Sequence, residues 1–342
     1  MRARLVRRLW PAAVLFCGLS TAATPSQPAA QITLPPSTQA IVIRYAAGEY
    51  DVFKTLAPLQ ALVLLSNRRP IPDPGFGGER SRRVRAAFGL ELARSARLDQ
   101  WHEALNLIAS VRTELIMRPF RRDGFDRHWH EAVIGTLEMI GDVAALNFEL
   151  NDALKEFPGE PRFVLARAVS EELRLQALLP AGAGLGDFRE SELVRLRSTL
   201  QSALALPAVR GEAALRLGRL ELALGRHSEA LLRFDEAEPR VDEPALQYLV
   251  RLSRGEALAA LGRADEAKAA YRSALEVGPD VQSATLKLAG LLFVEGRREE
   301  ADALVDHLIG LPAAEWDPWW TYRNGDQRLL SQALGELRQD CR

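Results

Sequence analysis

The sequence predicts an all-α fold, an α-solenoid of helix-turn-helix repeats closed by a C-terminal capping helix. Three observations carry this. Ala and Leu dominate the 342 residues while Ile, Thr and Tyr are sparse, which favours helices over strands. A Gly-Arg pair recurs at 225–226, 262–263 and 296–297, with spacings of 37 and 34 residues. Each glycine is followed four residues later by Glu-Ala, at 229–230, 266–267 and 300–301. A fixed period in this range marks a repeated supersecondary unit, because one hairpin alone cannot bury its apolar face.

The elements follow in chain order. Residues 1–23 begin with Arg2, Arg4, Arg7 and Arg8, continue through an apolar run to Leu19, and end in small residues. That order describes a secretory signal peptide, and the run is short for a membrane span. Cleavage near Ala23 places the mature chain in the periplasm or outside the cell. An uncleaved N-terminal anchor is the alternative, and an acylated Cys17 is disfavoured because Phe16 stands where a lipoprotein signal needs a small residue. Residues 24–38 form a Pro-rich tether with Pro25, Pro28, Pro35 and Pro36.

Residues 39–206 read as degenerate helical hairpins. Gly48-Glu49-Tyr50 marks a turn, 67–80 a Pro/Gly-rich loop or linker, 82–115 a hairpin from Glu103-Ala104 after Trp101, and 126–160 another from Gly141, Ala153 and Pro158. Helical patterns at 161–178 and 189–206 flank a loop at 180–188. Residues 211–312 hold the three clear repeats. Residues 313–342 carry Trp316, Trp319, Trp320 and Tyr322, then Asp326 as an N-cap for a helix with Leu329, Leu330, Leu334 and Leu337. This aromatic segment is expected to cap the array, since a solenoid needs a final element with one polar face. An exposed aromatic surface for a partner is the alternative.

The clear repeats resemble the tetratricopeptide repeat family. The first supplies Leu217-Gly218, Ala230, Phe234 and Ala237; the second Gly255, Ala267, Tyr271, Ala274 and Pro279. The third supplies Leu288-Ala289 and Ala301, with Val305 in place of the aromatic. Small residues permit close helix approach, and Phe234 and Tyr271 are expected to fill the space between successive hairpins. The resemblance implies a concave groove lined by first helices, here Arg216, Arg219, Leu252, Glu256, Leu286 and Phe293. Family members that grip a peptide carboxylate use Lys and Asn at positions held here by Leu215, Arg219, Leu252, Glu256, Leu286 and Gly290. A carboxylate clamp is therefore not expected, and the groove suits a helix or extended segment.

Chemistry is thinly signalled. His128-Trp129-His130-Glu131 invites a metal reading, but residues two apart on a helix point about 200° apart. The H-E-x-x-H zinc pattern would need His where Ile134 stands. The run Gly182-Ala183-Gly184-Leu185-Gly186 lacks phosphate-loop spacing, and no G-x-S-x-G occurs. No metal and no cofactor is expected. The formal charge is −1, so no global field attracts nucleic acid. The sequence thus points to an exported scaffold that binds a protein or peptide, without catalysis and without a membrane span after cleavage. An enzyme on a helical superhelix, acting on envelope polymers, is the alternative. It requires a pocket of converging acids in the region 120–190.

Overall fold

A computed structural model describes residues 36–66, 69–96, 100–116, 124–178, 188–311, 317–323 and 330–342. Residues 1–35, which hold the expected signal peptide and most of the expected tether, the glycine run 182–186, Trp316, Asp326 and Leu329 lie outside the described residues. The described residues are all helical or irregular, and residues 36–342 form one compact unit.

Helices pair in sequence, each antiparallel to the one before. After α1 (Thr38–Ala46), a 3-10 turn (Tyr50–Thr55) and α2 (Pro58–Leu65), the pairs are α3 (Gly78–Arg94) with α4 (Trp101–Ile116) and α5 (Gly124–Ile140) with α6 (Val143–Glu156). Then come α7 (Pro161–Gln176) with α8 (Glu190–Leu204), α9 (Arg210–Ala223) with α10 (His227–Ala237), α11 (Pro244–Ala260) with α12 (Ala264–Val277), and α13 (Gln282–Val294) with α14 (Arg298–Gly310). From α5 to α14 every helix also packs on its successor, so the weak upstream hairpins continue into the clear repeats. Two further helices, α15 (Pro318–Arg323) and α16 (Leu330–Gln339), complete the chain.

The repeated Gly-Arg pair is explained by backbone geometry. Gly225, Gly262 and Gly296 each take positive φ, a conformation that costs other residues a Cβ clash. At the second turn Gly262 N–H donates to Ala259 C=O (3.0 Å) and Arg263 N–H to Leu258 C=O (2.9 Å). This double bond pattern satisfies the last carbonyls of α11 and starts α12 at once. The arginine then meets the glutamate three residues on. Arg263 Nε donates to Glu266 at 2.7 Å, and Arg297 Nε to Glu300 at 2.6 Å. In the first repeat Arg226 turns instead to Glu221 and Glu190. The Arg263 and Arg297 pairs are exposed and screened by solvent, whereas Glu221 is buried.

Pairing within a hairpin depends on small residues. A Cβ on Gly255 would lie 2.4 Å from Tyr271 Cε1, and one on Gly218 would lie 2.6 Å from Phe234 Cε1. The aromatic ring thus meets the glycine of its own hairpin, a tighter role than the filling between hairpins that the sequence suggests. Ala230, Ala237, Ala267 and Ala274 are fully buried at the same seams.

The C-terminal segment differs from expectation. It does not extend the array beyond α14. Helix α15 packs on α11, and α16 packs on α5 and α3. All three are first helices of their pairs, so the chain returns along that row. Leu330, Leu334 and Leu337 are buried there, and Gly135 lets α16 approach: a Cβ on it would be 3.3 Å from Leu330 Cβ. The segment 69–77 is likewise no free linker. Ile71 is buried against Gly89, and Asp73 accepts from Gly75 N–H and Ser81 Oγ, both at 2.7 Å.

Gly255→Ala should destabilise the fold by about 1–3 kcal/mol through overpacking against Tyr271. Gly290→Ala, where no atom lies within 4 Å of the new methyl, should be neutral or stabilising by up to ~1 kcal/mol. Urea unfolding followed by circular dichroism measures both, and equal effects would refute the seam.

Candidate functional site

The row of first helices offers two features, a side-chain ladder on α9 and α11 and a cavity beside α5. The ladder is built from a buried ion cluster. Arg216 has a side chain with 0% exposure, and it donates to Glu212 (3.0 Å) on its own helix and to Glu172 (2.6 Å) on α7. Two carboxylates from adjacent pairs therefore share one guanidinium, which suits a planar fork of donors. Tyr322 from α15 closes the cluster, with its ring centroid 4.1 Å from the guanidinium carbon. Burial pushes the Tyr322 hydroxyl well above its ordinary pKa, so it stays neutral.

One turn along, Arg219 lies 3.7 Å from the ring centroid of Trp319 and donates to Ser253 Oγ at 3.2 Å. Asp317, itself buried, accepts from Ser283 N–H at 2.6 Å and so caps the start of α13. It also accepts from Trp319 N–H at 3.0 Å, which begins α15. Acid, tryptophan and tyrosine thus bridge α9, α11 and α13 in one short helical turn.

The six expected groove residues divide accordingly. Arg216 and Leu252 are buried and present no surface. That corrects the repeat-register reading of both: Arg216 faces inward under Tyr322, and Leu252 belongs to the apolar core of the clear repeats. Arg219 lies beneath Trp319, and Glu256 pairs with Lys287 at 2.8 Å. Leu286 and Phe293 are exposed, as is Val294 beside them at 84%. Trp319 is half-buried and Trp320 is exposed, so the aromatic cluster serves both packing and surface.

The second feature is a cavity of about 400 Å³ between α5, α7, the start of α9 and α16. Glu131, Glu138, Glu160 and Glu212 line it together with Arg162 and Arg240. Burial raises the Glu131 carboxyl above its ordinary pKa, against the pull of Arg162 and Arg127. Sequence reasoning does not single out the individual residues of this wall, because its acids come from α5, α9 and the segments preceding α7 and α11, and no local motif joins them.

The two histidines of α5 diverge as helix geometry requires. His130 is buried with Nδ1 2.6 Å from Glu149 Oε1, between Phe157 and Phe163. Burial would lower its pKa, but Glu149 and Glu156 outweigh that and raise it. His128 faces the other way, toward α16. Comparison with protein-family models and with curated proteins gives no match.

Arg216→Ala leaves Glu172 and Glu212 facing each other without their shared cation, and should cost about 3–5 kcal/mol. Arg216→Met combined with Glu172→Gln should recover part of that loss. Chemical unfolding of the three proteins would settle the matter, and a single substitution costing under ~1 kcal/mol would show the cluster to be inert.

Proposed function

We propose that the chain is an exported scaffold of tetratricopeptide type that binds protein or peptide segments along its first helices, without catalysis. The glycine-aromatic seams at Gly218–Phe234 and Gly255–Tyr271 support the family reading. The basic, short-apolar, small-residue order of positions 1–23 supports export to the periplasm or beyond. Among the described residues no helix is long and apolar enough to cross a membrane.

One observation carries the binding reading. The first helices already hold a short helical segment, Asp317 to Tyr322, by an acid on a helix start and two aromatic rings on two arginines. These are the elements of helix-in-groove recognition, with anchors three residues apart. Beyond that segment the row continues into exposed Leu286 and Phe293, where a longer partner would extend its contact.

The acid-lined cavity favours a second reading, an enzyme acting on envelope polymers. Its walls include the buried carboxylates expected of such a site, in the region 120–190. Loss of glycan hydrolysis in Glu138→Gln without loss of folding would support it.

For the binding reading, the full-length Trp319→Ala/Tyr322→Ala protein is titrated with a labelled peptide of sequence DPWWTYR. Saturable binding is expected, about tenfold or more tighter than to the unaltered chain, whose own segment competes. Adding Arg219→Glu should abolish it. No saturable binding to the double variant would overturn the reading. Crosslinking in the native compartment should further place a partner near Phe293, and Phe293→Ala should weaken it.

A further inference from the structure

We propose that α5 and α16 together form a divalent-metal site, suited to zinc, with His128, Glu131 and Glu336 as ligands. His128 and Glu131 are three residues apart and share one face of α5. Glu336 comes from the facing surface of α16. One ligand atom from each residue lies within 4.8 Å of the other two.

The outer contacts are those a metal-bound imidazole needs. Asp340 Oδ2 lies 2.6 Å from His128 Nδ1, and Arg127, which can only donate, lies 2.8 Å from Nε2; with Nδ1–H donating to Asp340, the Nε2 lone pair is the one available to a metal. Glu336 Oε2 lies 3.4 Å from the same Nε2. Gln332 Nε2 holds the other oxygen of Glu336 at 2.9 Å. Glu131 Oε2 and Glu336 Oε2 are shut off from solvent and accept no hydrogen bond among the described residues. The Glu131 side chain is only 5% exposed. Glu131 is met by Arg127 and Arg162, whereas Glu336 Oε2 has only the imidazole of His128 near it, and a buried carboxylate oxygen so placed favours a cation. One imidazole with two carboxylates is a mixed donor set that zinc accepts, leaving a fourth position open.

Two arginines contest the place. Arg127 donates to Glu131 Oε1 and to His128 Nε2, both at 2.8 Å, and Arg162 lies 3.4 Å from Glu131 Oε2. Arg127 is one-third exposed, so its guanidinium can swing into solvent when an ion takes Nε2. The resident guanidinium sets the threshold for metal, and the ion would tie the C-terminal helix to α5.

The test uses the full-length protein stripped with a chelator, titrated with Zn²⁺ at pH 7.5 by calorimetry and with Co²⁺ by visible absorption. One equivalent should bind. Glu336→Gln and His128→Asn should weaken it at least about tenfold, and Asp340→Asn, a positioning change, by about 10–100-fold. Arg127→Ala should strengthen it, which neither a simple ion-pair staple nor chance binding at His102, His227 or His307 would produce. Absence of binding in both the unaltered chain and Arg127→Ala would overturn the proposal. So would binding that His128→Asn and Glu336→Gln leave unchanged.

Discussion

A helix array one pair thick has no interior other than the seams between neighbours, so the whole structure rests on how closely paired helices approach. At Gly255 the ring of Tyr271 occupies the volume a methyl would need, and at Gly218 Phe234 does the same. Within the array each pair packs on its sequence neighbours, so a looser fit at one seam is not made good by a deeper core. The turn glycines serve the same end. A positive-φ residue reverses the chain in the fewest residues, and that brings the second helix back at the distance the ring requires.

Such an array leaves one face of every first helix uncovered by its own pair. In this chain the return of the C-terminal segment covers much of that face, and the contact is ionic as well as apolar. Glu91 is buried on α3, accepts from Tyr45 Oη at 2.6 Å, and receives Arg338 of α16 at 2.7 Å. Arg338 is held charged well above its ordinary pKa by this carboxylate. Arg216 performs the corresponding role under Tyr322. An apolar helix could slide along an apolar row. A buried carboxylate with one guanidinium partner fixes the register, since misplacement leaves a charge unpaired in low dielectric.

Legibility in the sequence followed the range of the interaction. The hairpins at 211–310 were visible because turn glycines, caps and small residues act within one helical pair. The upstream pairs at 78–116 and 124–156 are more faintly visible, from Glu103-Ala104 after Trp101 and from the offsets of Gly141, Ala153 and Pro158. The return of α15 and α16 is not visible, because its contacts join residues such as Glu91 and Arg338 that no local pattern relates. For the same reason repeat register placed Arg216 in an open groove. Register says which way a side chain leaves its helix, and says nothing of Tyr322 arriving more than a hundred residues later. His128 and His130 were correctly separated by helix geometry, but the partner on α16 that gives His128 its meaning came from the far end of the chain.

An occupied row changes what binding to it requires. The segment 317–323 is joined to α16, which is anchored on α3 and α5 by its leucines and by Arg338. A tether of this kind keeps the segment near its seat at an effective concentration of order millimolar. An outside segment with the same three anchors would therefore lose the competition at ordinary concentrations. It gains only by reaching contacts the resident lacks, and the exposed Leu286, Phe293 and Val294 at the end of the row are where such contacts lie. Selectivity would then come from the length of the partner beyond its aromatic anchors, because the anchors themselves are already matched within the chain.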